Sequence, residues 1–309
     1  MQRTSRILVI KLGALGDFVQ AMGPAAAIRA HHKDAAITLL TTAPFAELAR
    51  RAPYFDDVLV DERPSLFDWN GLLRLRSMLR DAAFDRVYDL QTSRRSSWYF
   101  HLMGPGKRPE WSGIARGASH PHANPSRDHM HTLDRQADQL RMAGIRSVPA
   151  PDLSWAKTDI ARFSLPARFM LLVPGGAAHR PEKRWPIERY AALASAIAAH
   201  GIMPVVIGGA NEADLGTVVT AACATAYDLT GQTSLGDIVG LSVAAIHAVG
   251  NDTGPMHLIV AAGLPATVLY SSASDPALTQ PRGREVSVLQ CSNLADLAVD
   301  KVAATLHLS

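Results

Sequence analysis

In two successive series along its 309 residues the chain alternates short apolar runs, polar turns and stretches with helical spacing. Apolar runs of this length, bounded by turn residues and alternating with helices, read as strands of parallel sheets buried on both faces. The strands expected in the first half are 6–11, 36–42, 57–60 and 85–90, with helices at 17–30, 44–51, 69–83 and 132–143. Gly23-Pro24 is expected to break or kink the first helix. After the proline-rich stretch around Val148-Pro149-Ala150-Pro151 a second series begins. Its strands are expected at 169–173, 204–207, 226–229, 244–249 and 266–270, with helices at 187–199 and 294–306. Two α/β domains, 1–150 and 151–309, facing across a cleft are the economical architecture. The segment 105–127, rich in Gly, Pro, His and Arg, reads as a long surface loop.

Composition narrows the functional classes. Apolar residues are 48% and charged residues 19% of the chain, as in globular proteins. No apolar run reaches the roughly 18 residues of a membrane span. Lys11 and Asp17 interrupt the first apolar run, and no small-residue cleavage site follows it, so a cytoplasmic location is expected. Cys223 and Cys291 form neither a disulfide framework nor a metal-ligand pattern and read as two buried thiols. His129-Met130-His131 lacks companion ligands, so no metal site is expected. Residues 1–155 hold 21 Lys/Arg against 16 Asp/Glu, a balance of +5, while 156–309 hold 10 against 12. A basic first half points to an anionic partner, or simply to a solvated basic face. With 6% aromatics and no nucleic-acid motif, nucleic acid is not expected.

Polar turns at the carboxyl ends of the expected strands hold the candidate site residues, because ligands of parallel α/β sheets bind there. Leu12-Gly13-Ala14-Leu15-Gly16-Asp17 follows the first strand; Asp17 is either an N-cap or a carboxylate facing a ligand. Pro174-Gly175-Gly176 precedes Lys183-Arg184-Trp185-Pro186, whose cations could neutralise a diphosphate or sit in an ordinary charged loop. Gly208-Gly209 precedes Glu212, which can accept from ribose hydroxyls or occupy a first helical turn. Asn251-Asp252-Thr253-Gly254-Pro255-Met256-His257 reads as strand, turn and helix, with Asp252 or Thr253 as cap and Pro255 in the first turn. The helix amides there suit a diphosphate.

Taken together with Asp89-Leu90-Gln91, in this order and spacing, these motifs closely resemble the heptosyltransferase family of inverting glycosyltransferases, glycosyltransferase family 9, over nearly the whole chain. The resemblance implies the GT-B fold, two Rossmann-like domains, with acceptor binding in the first and nucleotide-sugar binding in the second. The last helix of such chains often packs back on the first domain. The implied reaction is transfer of a heptose from ADP-heptose to a lipopolysaccharide core, with inversion and without a metal cofactor. Asp17 matches the general base and Lys183 the lysine that stabilises the leaving diphosphate. Gly16, Glu212, Asp252, Thr253, Gly254 and His257 match donor-binding positions, Glu212 least securely. Arg94, Arg95, Arg108 and Arg116 are candidates for an anionic, lipid-linked glycan acceptor on charge alone. Such an acceptor also implies peripheral contact with the cytoplasmic face of the inner membrane. One departure concerns the donor: where the best-known relatives carry hydroxyl residues near this lysine, the chain has Ala177, Ala178 and His179. A different nucleotide sugar or glycan, or a catalytically silent sugar-nucleotide-binding protein, are the alternatives.

Overall fold

The computed structural model of the chain describes residues 4–65, 67–104, 108–177, 179–306 and 308. Contacts divide it into two compact units, Met1–Pro151 and Asp152–Ser309. The first unit runs β1 (Arg6–Ile10), α1 (Leu15–Gln20), α2 (Met22–His31), β2 (Ala36–Thr41), α3 (Ala43–Arg51), β3 (Asp57–Val60) and α4 (Trp69–Asp81). It continues through β4 (Arg86–Asp89), α5 (Arg94–Leu102), β5 (Glu110–Gly113), β6 (His120–Pro121) and α6 (Thr132–Met142). Its strands form one sheet in the order β3-β2-β1-β4-β5-β6, and every pairing is parallel.

The second unit runs β7 (Phe169–Val173), α7 (Ile187–Ala198), β8 (Met203–Val206), α8 (Ala213–Ala222), β9 (Tyr227–Asp228) and α9 (Leu235–Ala244). It closes with β10 (His247–Asn251), α10 (Gly254–Ala261), β11 (Ala266–Tyr270), α11 (Pro276–Thr279), β12 (Val286–Gln290) and α12 (Val299–Ala303). This sheet is again parallel, in the order β12-β11-β10-β7-β8-β9.

Continuous apolar strands explain both sheets. Ile7, Leu8, Val9 and Ile10 are all buried, as are all five residues of β7, because helices cover each face. In the first unit Leu8, Ile10, Leu40 and Val87 pack with Leu75 and Leu79 of α4 and with Tyr99, Phe100 and Trp111. In the second, Met170, Leu172, Val206 and Val249 pack with Trp185, Tyr190 and Leu193. Among the described residues no helix is long and apolar enough to cross a membrane.

Several local expectations change. The first helix breaks at Ala21, which ends α1 and begins α2; Gly23 and Pro24 lie in the first turn of α2, where proline costs no hydrogen bond. The turn after β4 opens directly into α5, because Ser93 and Ser96 form a reciprocal capping box. The expected loop at 105–127 supplies β5 and β6, with Trp111 fully buried; Pro105, Gly106 and Lys107 lie outside the described residues. β12 is an additional strand on the edge of the second sheet, paired with β11. The last expected helix divides into a 3-10 turn, Leu294–Asp296, and α12. Its Val302 and Leu306 pack with Trp185 and Tyr190 around α7 of its own unit. Cys223 is buried and Cys291 only partly so; neither is in a disulfide.

Candidate active site

Both sheets change direction between their central strands. In the first, the chain builds outward from β1 through β2 and β3, then returns to β4 beside β1. In the second it builds outward from β7 and returns to β10 beside β7. At such a switch point the connections leave on opposite sides and open a crevice at the carboxyl ends of the strands. The catalytic and donor-binding candidates gather at these two places.

At the second switch point Asn251, the last residue of β10, is fully buried and ties the neighbouring turns together. Its Nδ2 donates to the carbonyls of Pro174 (2.8 Å) and Gly175 (3.1 Å). Its Oδ1 accepts from the Trp185 amide (3.0 Å) and the Tyr190 hydroxyl (3.1 Å). The strand end, the glycine turn and the start of α7 thus share one side chain. Lys183, at the end of a 3-10 turn, is fixed by this scaffold and donates from Nζ to Asp252 Oδ2 at 2.7 Å. Ser274 Oγ donates to the same oxygen at 2.7 Å. Both Lys183 and Asp252 are mostly buried. Burial would raise the Asp252 carboxyl, but the bonds from Lys183 and Ser274 and the nearby Lys183 and His257 charges hold it below the usual value.

Asp252 therefore does not cap α10, as the sequence reading allowed. Thr253 holds the N-cap position without a side-chain bond, and Pro255 lies in the first turn. Thr253 and Gly254 stay partly accessible, whereas His257 is buried. A lysine ammonium has three N–H groups, so the Asp252 bond leaves donors for a second anion. A cation from the connection after β7 and, after β10, a helix start without a side-chain cap are joined through Asp252, an arrangement suited to phosphate.

Glu212 has a definite local task. Its Oε1 accepts from the Gly176 amide (2.9 Å) and its Oε2 from the Gly209 amide (2.8 Å), so it joins the turns after β7 and β8. A Cβ at Gly175 would collide with this carboxylate, which explains the glycine. Each oxygen keeps a further lone pair for a hydroxyl donor. Arg184 Nη2 donates to the Gly176 carbonyl. Ala177 and His179 follow that turn; Ala178 lies outside the described residues.

At the first switch point Asp17 occupies the first turn of α1, three residues after the N-cap Ala14, and is half-buried. It is not the cap. Gly16 stands immediately before it. Gly13 has φ +118, and a Cβ there would press on the Phe45 ring, so the turn depends on glycine. Buried Lys11 lies within the electrostatic reach of Asp17, and so does Arg135 of α6. Lys11 Nζ donates to the Leu90 carbonyl (3.3 Å), and Gln91 Oε1 accepts from the Leu12 amide (2.9 Å), so the turns after β1 and β4 are joined here too. Asp89 is fully buried; its Oδ1 accepts from the amides of Gln91 (3.1 Å) and Thr92 (3.0 Å), while Oδ2 has no hydrogen-bond partner. Burial pushes its pKa up to about 6, against the pull of these bonds and of Lys11. Burial likewise lowers Lys11.

The four arginines do not form one patch. Arg94 opens α5 and Arg116 follows β5, both at the carboxyl edge of the sheet and both exposed. Arg95 is engaged in the fold: Nε donates to the Tyr99 hydroxyl (2.6 Å), Nη2 to the Pro64 carbonyl (3.1 Å), and Tyr99 in turn donates to buried Asp61. Arg108 precedes β5 at the opposite edge. There it borders a cavity of about 780 Å³ lined by the starts of β1, β4 and β5, remote from Asp17 along the strands. Sequence reasoning missed Lys11, Arg135 and Ser274 as members of these sites, and it placed Asp89 and Asn251 in motifs without giving either a task of its own. Lys11 was the most legible, being a cation at the end of a strand buried on both faces.

Comparison with known proteins bears on this geometry. The family model described as glycosyltransferase family 9 (heptosyltransferase) matches residues 72–304. Lipopolysaccharide heptosyltransferase 2 of Escherichia coli K12 is 26% identical over 314 residues, covering 92% of this chain and 88% of the relative. The solved E. coli ADP-heptose lps heptosyltransferase II superposes with a TM-score of 0.80 at 23% identity, over 97% of each chain. The E. coli heptosyltransferase WaaC with ADP superposes with a TM-score of 0.77 at 20% identity, over 97% of this chain and 98% of that one.

Proposed function

Because the chain belongs to glycosyltransferase family 9, the heptosyltransferases, we propose that it transfers a heptose from ADP-heptose to a lipopolysaccharide core acceptor with inversion at the anomeric carbon. Its fold is GT-B, built from two Rossmann-like units. The observation that carries the proposal is the Lys183–Asp252 pair at the second switch point, beside the start of α10.

In this reading the donor diphosphate settles against Lys183 and the α10 amides at Thr253 and Gly254. Asp252 and Ser274 hold the ammonium in place, so its free N–H groups are already directed before substrate arrives. As the bond from the sugar to the diphosphate lengthens, negative charge grows on the leaving oxygens, and Lys183 stabilises it. That charge takes the part a divalent ion plays in other transferases, and no metal cofactor belongs to the proposal. Glu212 orients the nucleotide ribose through its remaining lone pairs, and His257, within electrostatic reach of Asp252, adds to the donor site. Asp17 accepts the proton of the acceptor hydroxyl late, once the attacking oxygen has become acidic. Arg94 and Arg116 receive an anionic, lipid-linked glycan, and this acceptor brings the protein to the cytoplasmic surface of the inner membrane.

The departure at Ala177 and His179 favours one second reading, the same chemistry with another nucleotide sugar. Calorimetric titration with ADP, UDP, GDP and CMP separates the two. ADP is expected to bind best, without magnesium, and Lys183→Ala to weaken it by about two orders of magnitude. Asp17→Ala should keep ADP affinity while turnover falls by about 10²–10⁴-fold. A preference for UDP or GDP would replace the donor. Unchanged turnover in the Asp17 variant would remove it from the mechanism, and no nucleotide binding at all would leave a silent scaffold.

A further inference from the structure

We infer that the outer face of α4 is the surface by which this protein lies on an anionic lipid bilayer. Three of the large apolar side chains most exposed in the described structure fall within seven residues: Phe67 (92%), Trp69 (74%) and Leu73 (61%). Others, such as Met142, Val218, Tyr227 and Val243, are far from these in sequence. Trp69 and Leu73 are one helical turn apart, and Arg76 and Arg80 continue the same stripe at spacings of four, three and four residues. The opposite face carries Gly71, Leu75 and Leu79, buried in the core of the first unit. α4 is therefore amphipathic in an unusual sense, with its solvent side carrying bulky apolar residues at one end and guanidinium groups at the other.

Those guanidinium groups are available. Arg74 pairs with Glu62 at 3.6 Å, but Arg76, Arg80 and Arg108 have no carboxylate partner among the described residues. The three converge on Gly104: a Cβ there would lie 3.2 Å from both Arg76 Nη2 and Arg80 Nη1, and Arg108 Nε donates to its carbonyl at 2.9 Å. Guanidinium groups bind phosphate through paired N–H donors, and their aliphatic stems tolerate an apolar boundary. Tryptophan settles at headgroup depth for the same reason, having an apolar ring and one N–H. A helix of 13 residues, about 20 Å long, lying flat would place both ends in the headgroup layer at once. The +5 balance of residues 1–155 matches a negative surface in sign. These features favour a bilayer over a protein partner, whose apolar anchor would be expected in a depression rather than on a convex helix.

The inference deepens the proposed function by placing its membrane contact, and it rests on that reading only for its purpose. The test needs neither donor nor acceptor, so its failure would leave the transferase reading standing. The full chain would be floated with vesicles of phosphatidylethanolamine and phosphatidylglycerol, and separately with phosphatidylcholine alone. We expect binding to the anionic vesicles only. The Trp69→Ser/Leu73→Ser and Arg76→Glu/Arg80→Glu double variants should each lose it by about tenfold or more, and Arg76→Lys/Arg80→Lys should retain most of it. Far-UV circular dichroism and thermal unfolding would show that the variants are folded. Equal binding of variants and wild type, or equal binding to the neutral vesicles, overturns the inference. So does a vesicle-independent dimer that the Trp69→Ser/Leu73→Ser variant dissolves, which would assign the face to a second copy of the chain.

Discussion

Asp89 shows what a single buried carboxyl costs the fold. Its side chain has no exposure, one oxygen lacks a partner, and burial pushes the group up to about 6 from the usual 3.8. Below pH 4 the folded and unfolded chains both carry the proton, and the group contributes nothing. Between pH 4 and 6 the unfolded chain releases it while the folded chain keeps it, so stability falls as pH rises. Above pH 6 the full cost is present, about 3 kcal/mol by order of magnitude. Asp89→Asn removes this dependence. The stability of the variant relative to wild type should therefore rise by about that amount from pH 4 to pH 7 in urea unfolding, and a constant difference would contradict the account. Why an ionisable group sits there follows from its contacts: its amide bonds shape the turn beside Lys11, which lies within reach of Asp17. At this scale the sequence was readable where a residue's chemistry matched a turn, as at Asp17, Lys183 and the Asn251–His257 run. It was not readable where position decides the task. Asp252 looks like a helix cap and instead holds Lys183; Glu212 does sit at the helix start that the sequence allowed, and from there joins two turns; Arg95 looks like part of a basic patch and instead bonds Tyr99.

The elements divide by length and burial. β7 is an unbroken apolar strand, β1 and β11 are largely apolar, and α4, α6 and α7 have clear helical spacing, so their existence followed from periodicity. The missed elements are short or lie at edges. β5 has four residues amid Gly, Pro and His, and only the packing of Trp111 on Phe100, with ring centroids 5.3 Å apart, makes it part of the core. β12 pairs on one side and is half exposed, so its apolar pattern is diluted. α5 follows a polar run that reads as loop unless Ser93 and Ser96 are recognised as a reciprocal pair. Ser96 N donates to Ser93 Oγ (3.1 Å) and Ser93 N to Ser96 Oγ (2.9 Å), so two amides at the helix start are satisfied. Ser93→Ala should cost about 1 kcal/mol, and Ser93→Gly a few tenths. Urea unfolding would show this as a lower midpoint at unchanged slope for the alanine variant; a loss of several kcal/mol would mean that Ser93 does more than cap.

Across the whole chain, each unit carries its own core and its own parallel sheet with the same order of crossing. Such a chain is not expected to unfold in one step, so its calorimetric trace should resolve more than one transition. ADP at about 100 times its Kd should stabilise the unit 152–309 by about 2.7 kcal/mol. Its transition should then move upward while that of the other stays. Movement of both together would mean that the units melt as one body, and movement of the first alone would place the nucleotide there. The two-unit plan was visible in the alternation of strands and helices, whereas the crossing order needed the pairing of β1 with β4 and of β7 with β10. At each crossing one carboxamide, Gln91 or Asn251, stitches neighbouring turns within a single unit. Each recognition surface is thus locally self-sufficient. Under the proposed function, an ancestral gene could be revised one surface at a time, drifting toward a new glycan through the loops of its first half while a nucleotide seat in its second half stayed unaltered.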